Sequence, residues 1–241
     1  MEKSEADSTQ ATLPPRRRSV ASIFLRVLVA IAILAAVLFL SAGRLDWPAA
    51  WAFLIAYFAY LFAFGVWGTR KDPALMRERS RVGANVKSWD KVIMGLYSAL
   101  LFAMFVIAGL DVGRFRWSAT PPGVQVVGWL GMVLAGAIVW WTMSVNTYLS
   151  RMVRIQEERK HSVVTAGPYR FVRHPMYVGV ILIVACVPAA LGSWWAAAVG
   201  GAIGILFIVR TALEDRTLQE ELPGYREYAG QVRYRLLPGV W

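Results

Sequence analysis

The stretch MYVGVILIVACVPAALGSWWAAAVGGAIGILFIV, residues 176–209, decides the fold. A helix that crosses a bilayer needs about 20 mostly apolar residues, and this run is far too long for one crossing. Inside it, Pro188 and then Leu191-Gly192-Ser193 are turn-prone. The run therefore predicts two antiparallel helices joined by a very tight hairpin.

Working outward, four earlier stretches satisfy the same requirement: residues 23–42, 47–67, 92–110 and 124–145. The expected total is six spans. Hydrophobic residues make up 57% of the 241 and charged residues 17%, and the apolar ones are gathered into runs rather than spread at amphipathic spacing, which signals a lipid solvent. Nothing alternates at the barrel period, and a backbone in hydrocarbon must be satisfied within its own segment. The expected fold class is an all-α polytopic membrane bundle. Its expected organisation is a disordered basic tail over 1–22, a four-helix membrane region over 23–146 and a region carrying the chemistry over 147–241.

The 26 lysines and arginines set the expected orientation. With the N-terminus inside, all but Arg44, Arg114 and Arg116 fall in cytoplasmic segments or at cytoplasmic helix ends, which places both termini in the cytoplasm. A signal peptide fits poorly, because the first apolar run is long for one and ends without a cleavage motif. The net charge of +11 is distributed beside membrane helices rather than on one face, so it suits anionic headgroups better than nucleic acid. The single cysteine, Cys186, lies in an apolar run as a small packing residue. Two histidines and no dense carboxylate cluster argue against a metal centre. Gly200 and Gly204 give a small-xxx-small spacing for helix packing, and no nucleotide-binding glycine motif follows a strand.

Two segments combine polar groups, turn residues and charge beside helix ends. In the first, Gly167-Pro168 forces a turn and His174-Pro175 marks a helix start, whose unpaired backbone donors favour an anion or an acceptor-rich ligand. Taken without further context, Arg173 and His174 read as headgroup anchors for this helix. In the second, Arg210 and Glu214 stand four residues apart on one helical face, followed by Asp215. They make either a functional pair or an ion pair that merely ends the span.

In these segments the chain resembles the isoprenylcysteine carboxyl methyltransferases and their phospholipid-methyltransferase relatives. The resemblance rests on His161-Ser162-Val163-Val164-Thr165-Ala166-Gly167-Pro168-Tyr169, on Arg173-His174-Pro175-Met176-Tyr177-Val178-Gly179, on Arg210 with Glu214-Asp215, and on Gly224-Tyr225 through Tyr228, Val232 and Leu236-Leu237-Pro238. It covers about the last 90 residues in collinear order. It implies S-adenosylmethionine bound between the cytoplasmic ends of the last helices and the C-terminal segment, meeting His161, Ser162, Val163, Val164, Tyr169, His174, Pro175, Met176, Tyr177 and Glu214, with Gln156 a weaker assignment. Arg210 would face the substrate and, with Glu214, carry the catalytic role. Relatives commonly have two glutamates where this chain has Glu214-Asp215, which puts the role of Asp215 in doubt. The implied partner is a lipophilic acceptor arriving from the bilayer, whether a carboxylate, thiol, amine or phospholipid. A membrane NADPH-dependent reductase of the sterol type is the alternative, and a transporter or non-catalytic scaffold a weaker one.

Overall fold

A computed structural model of the protein describes residues 19–80 and 85–241. The expectation for the N-terminal tail therefore falls outside the described residues up to position 18. The described residues contain no strands, and their long helices are α1 (Val20–Ala42), α2 (Pro48–Lys71), α4 (Ser88–Gly109), α5 (Pro122–Val145), α6 (Pro175–Leu191) and α7 (Trp194–Glu221), with short α3 (Pro73–Glu78) and α8 (Tyr225–Gln231).

Five of these helices are long and apolar enough to cross a membrane: α1, α2, α4 with its continuation to Phe115, α5 and α7. The sixth, α6, has 17 residues. At 1.5 Å per residue it rises about 25 Å against a hydrocarbon core of about 30 Å. It is shorter than the other five by six residues or more.

The expected hairpin over 176–209 forms where the sequence put it. Gly192 caps α6 in the left-handed region at φ 87°, which costs a glycine nothing, and the Ser193 hydroxyl accepts from Ala196 N at 3.0 Å to start α7. Helix α7 does not stop with the apolar run at Val209. It continues to Glu221, which carries Arg210, Glu214 and Asp215 along one continuous rod.

Helix α6 lies between α5 and α7, and glycine makes the close approach possible on both sides. A methyl group on Gly128 would lie 2.5 Å from Ala190 N, and one on Gly200 2.2 Å from the Val184 carbonyl oxygen. Gly200 is thus the packing glycine of the small-xxx-small pair. Gly204 would make only an ordinary contact, 3.8 Å from Ile181. Leu38, Phe53, Met104, Val184, Ile203 and Phe207 form part of the buried core.

At the end of the bundle away from α8, α4 runs into a π-helical turn, Leu110–Phe115, which brings the fully buried Asp111 inward. Asp111 accepts from Ser118 N at 2.8 Å, Ser118 Oγ at 2.6 Å and Ser193 Oγ at 2.5 Å. It fastens this turn to the α6–α7 hairpin.

Candidate functional site

The opposite end of the bundle carries a polar cavity. Its walls are the segment between α5 and α6, the first turn of α6, the upper part of α7 and the inner face of α8. Of the residues anticipated from the sequence, His161, Ser162, Val163, Val164, Tyr169, His174, Met176, Tyr177, Arg210 and Glu214 all line it. Gln156 and Pro175 do not. Gln156 is fully buried beneath the loop, donating to Tyr148 O at 2.5 Å and accepting from Arg159 at 2.7 Å, and Pro175 opens α6 as its first helical residue.

The loop is held down from below. Arg154 grips Glu78 of α3 with both ends of its fork, at 2.9 and 3.0 Å, and Glu158 at 2.6 Å. The Arg154 hydrogen bond keeps the Glu78 carboxyl below its ordinary range. Val153 N donates to Asp90 at 2.7 Å, and Lys87 N to Val153 O at 3.2 Å.

The two consecutive acids of α7 have separate tasks, since neighbouring helix positions point about 100° apart. Glu214 faces the cavity and accepts a hydrogen bond from the Tyr177 hydroxyl. Asp215 faces away and is fully buried. It accepts from Arg173 at 2.7 and 3.0 Å, Arg235 at 2.9 Å, Tyr225 at 3.1 Å and Gln219 at 2.8 Å, with His174 Nε2 at 3.2 Å. The chain beyond α8 is laced to the same place: Arg173 N donates to Tyr234 O and His174 N to Arg235 O, both at 2.9 Å. Arg173 and His174 are accordingly not headgroup anchors. They are only 6% exposed each and fix the entrance of α6 to α7 and the C-terminal segment.

Arg210 makes no ion pair with Glu214 among the described residues. Its Nε and Nη2 clasp Asp90 of α4 at 2.8 and 3.1 Å, and Nη2 also donates to Arg151 O at 2.9 Å. The guanidinium lies over the rings of Tyr177 and Phe207, 5.1 and 5.7 Å from their centroids. A guanidinium has five N–H groups, so the two on Nη1 remain for a ligand in the cavity that Arg210 lines. Asp90 was not anticipated. The available signal was a lone acid in the first turn of an apolar span, where an ionisable group is costly unless partnered.

His161 presents an unspent group. Its ring lies against Tyr148 with centroids 4.7 Å apart, and its buried Nδ1 has no hydrogen-bond partner among the described residues. Burial, reinforced by the Arg159 and Arg154 guanidiniums, pushes its pKa down to about 4. The imidazole is therefore neutral near pH 7.

A second, apolar cavity of about 500 Å³ opens between α2, α4, α5 and α6, bordered by Tyr57, Tyr60, Tyr97, Met104, Trp129 and Val184 among others. One aromatic residue joins the two. The Phe207 ring meets Tyr97 of the apolar cavity edge-on at 5.1 Å and Tyr177 of the polar cavity at 5.4 Å.

Fold and site together define a polytopic helical membrane protein with a polar cavity at one end of its last two spans and an apolar cavity against it. Residues 127–220 match the isoprenylcysteine carboxyl methyltransferase (ICMT) family, the family that the sequence motifs resemble. The matched segment includes the polar loop, α6 and nearly all of α7. Asp90, Tyr225 and Arg235, which hold Arg210 and Asp215 in place, lie outside it. The sequence is also 31% identical over 128 residues to the cobalt-zinc-cadmium resistance protein CzcN of Cupriavidus metallidurans. That alignment covers 52% of this chain and 55% of the relative, so the chain spans about half the length of the curated protein it matches.

Proposed function

We propose that the protein is an S-adenosylmethionine-dependent methyltransferase that acts on a lipophilic substrate entering from the bilayer. The observation that carries this reading is the juxtaposition of a polar cavity, holding an unspent acceptor and donors, with an apolar cavity across Phe207.

The donor set suits the methyl donor, which carries an ammonium, a carboxylate, a ribose diol and a sulfonium. Glu214 can accept from the ammonium or the diol while Tyr177 keeps its carboxylate in place. Among the described residues, Met176 N–H has no partner at the start of α6, where such donors suit a carboxylate. His161 Nδ1 is a buried acceptor awaiting a donor. When bound, S-adenosylmethionine supplies an electrophilic methyl group on sulfur.

The remaining work belongs to this chain. The loop pinned by Arg154 and Asp90 gives the cavity a fixed wall, and a fixed site supplies much of the rate in an in-line displacement by holding the acceptor in line. For an isoprenylcysteine-type carboxylate, already ionised, the free Nη1 of Arg210 orients the oxygens and no base is required. For a thiol or amine, neutral His161 or Glu214 takes the proton. The acceptor's tail lies in the apolar cavity. The orientation has both termini in the cytoplasm, consistent with a bacterial inner membrane, and cysteines placed at Ser8, Ser162 and Gly230 should label from one side only.

Equilibrium binding of tritiated S-adenosylmethionine and of NADPH to the detergent-purified protein tests the assignment. Binding of the first alone is expected. Binding of NADPH alone would replace this reading with the reductase one, and binding of neither would remove both.

A further inference from the structure

Two hydroxyl groups in the apolar cavity have no hydrogen-bond partner among the described residues. The cavity contains three tyrosines. The Tyr60 hydroxyl donates to the Gly136 carbonyl across α2 and α5 at 3.1 Å. Tyr57, on α2, 37% exposed and stacked on Phe53 at 5.6 Å, and Tyr97, on α4, half-buried and edge-on to Phe207 at 5.1 Å, have none among the described residues, and neither hydroxyl is sealed off from the space around it. The rest of the wall is almost entirely apolar, so no neighbouring side chain is placed to relieve them. A hydroxyl left unmatched in an apolar medium is costly, and phenylalanine would pack as well in both places without that cost. The pair therefore points to a ligand that brings its own acceptor.

We infer that the apolar cavity selects an amphiphile whose tail carries a hydrogen-bond-accepting oxygen, of the ether, ester or carbonyl type, to which the Tyr57 and Tyr97 hydroxyls donate. The order of groups fixes where that oxygen lies. From the free Nη1 of Arg210 the path runs over Tyr177 and Phe207 to Tyr97, one ring beyond the polar cavity, and then to Tyr57 deeper in the span. A headgroup at Arg210 thus leaves the acceptor oxygen part-way down the tail, not at its tip. A plain hydrocarbon tail fills the volume but leaves both hydroxyls unmatched.

This inference rests on the reading of the polar cavity as the head site, but its test uses neither the methyl donor nor turnover. The probe is tritiated palmitate, bound to the full-length protein in detergent and displaced by unlabelled palmitate or by a series of oxo-palmitates with the carbonyl stepped along the chain. The parent protein should bind at least one isomer about tenfold more tightly than palmitate, the scale expected of one or two neutral hydrogen bonds. In the Tyr57→Phe/Tyr97→Phe protein that advantage should fall to about twofold or less, with palmitate bound at least as well as by the parent. Retained palmitate binding in the double variant shows that it is folded. The inference is overturned if no isomer outbinds palmitate, if the advantage survives the double substitution, or if palmitate does not bind the parent at all. S-adenosylmethionine binding measured in parallel reports separately on the methyltransferase reading, so the two can fail independently.

Discussion

The two ends of the bundle are closed by buried aspartates, but with different chemistry. At the hairpin end, Asp111 is satisfied by the hydroxyl and backbone amide of Ser118, just after its own turn, and by the Ser193 hydroxyl at the α6–α7 corner. At the cavity end, Asp90 and Asp215 are satisfied chiefly by guanidiniums brought from far along the chain: Arg210, Arg173 and Arg235. The neutral donors at Asp111 are all spent on fastening the turn to the hairpin. A buried carboxylate that holds cations also holds whatever those cations and their backbones form, here the start of α6, the C-terminal segment and Arg210, whose Nη1 is left for a ligand in the cavity. The difference separates an end built only to close the bundle from one built to hold a site.

That contrast breaks most readily at Asp215. Asp215→Asn removes the charge that compensates Arg173 and Arg235 and is expected to destabilise the protein by about 3–5 kcal/mol, the scale for breaking a buried pair. Denaturation in detergent would show it as a large fall in midpoint, together with lost S-adenosylmethionine binding. A variant with near-parental stability would mean that the network is slack.

Glu214→Gln should behave in the opposite sense, although it changes the adjacent residue. Among the described residues Glu214 has one hydrogen-bond partner, Tyr177, and faces the cavity, so stability should barely change. Affinity for S-adenosylmethionine should fall roughly ten- to hundredfold, the value of a charge-assisted hydrogen bond of about 1.5–3 kcal/mol. Glu157→Gln, on an exposed position, is the control. Equal affinities in both variants and the parent would leave Glu214 with no part in the site.

The hairpin end sets the lower bound. Asp111→Asn keeps the shape and disturbs only bonds from neutral donors, so a cost of about 1–3 kcal/mol is expected, with S-adenosylmethionine affinity unchanged. A drop in affinity matching the drop in stability would erase the distinction between the two ends.

How far this was readable beforehand follows from what each signal measures. Apolar runs report the lipid directly, and so the six helices and the Gly192-Ser193 corner were legible within a few residues. The motif residues from His161 to Tyr177 were legible because they are contiguous and sit at a helix start. Pairings were not. Nothing local in Arg210-x-x-x-Glu214 tells that the arginine turns to Asp90 on another span, so the i,i+4 ion pair looked reasonable and is absent. The doubt over Asp215 had the same origin, since its partners come from the loop before α6 and from beyond α8. The extension of α7 past Val209 was hidden too, because hydropathy records where the membrane stops, not where the helix does.

The smallest effect concerns His161 and separates burial from its neighbours. Its pKa lies near 4 in the folded protein against about 6.5 in an unfolded chain. Between these values the unfolded state binds a proton that the native state does not, so stability is full above about pH 6.5 and falls as pH drops toward 4. The carboxylates held low, such as Glu78, lose their contribution only below the ordinary carboxylate range, which leaves the interval from pH 6.5 to 5 to the imidazole. His161→Phe keeps an aromatic ring against Tyr148 and removes the titration. Thermal midpoints measured at pH 7.5, 6.5, 5.5 and 5.0 should therefore fall less steeply in the variant than in the parent. The difference should be only a few degrees, because the ring is partly open to solvent and the penalty is screened. Parallel curves would mean that His161 takes up its proton as freely in the folded protein as in the unfolded chain, and would remove it as the neutral acceptor of the cavity.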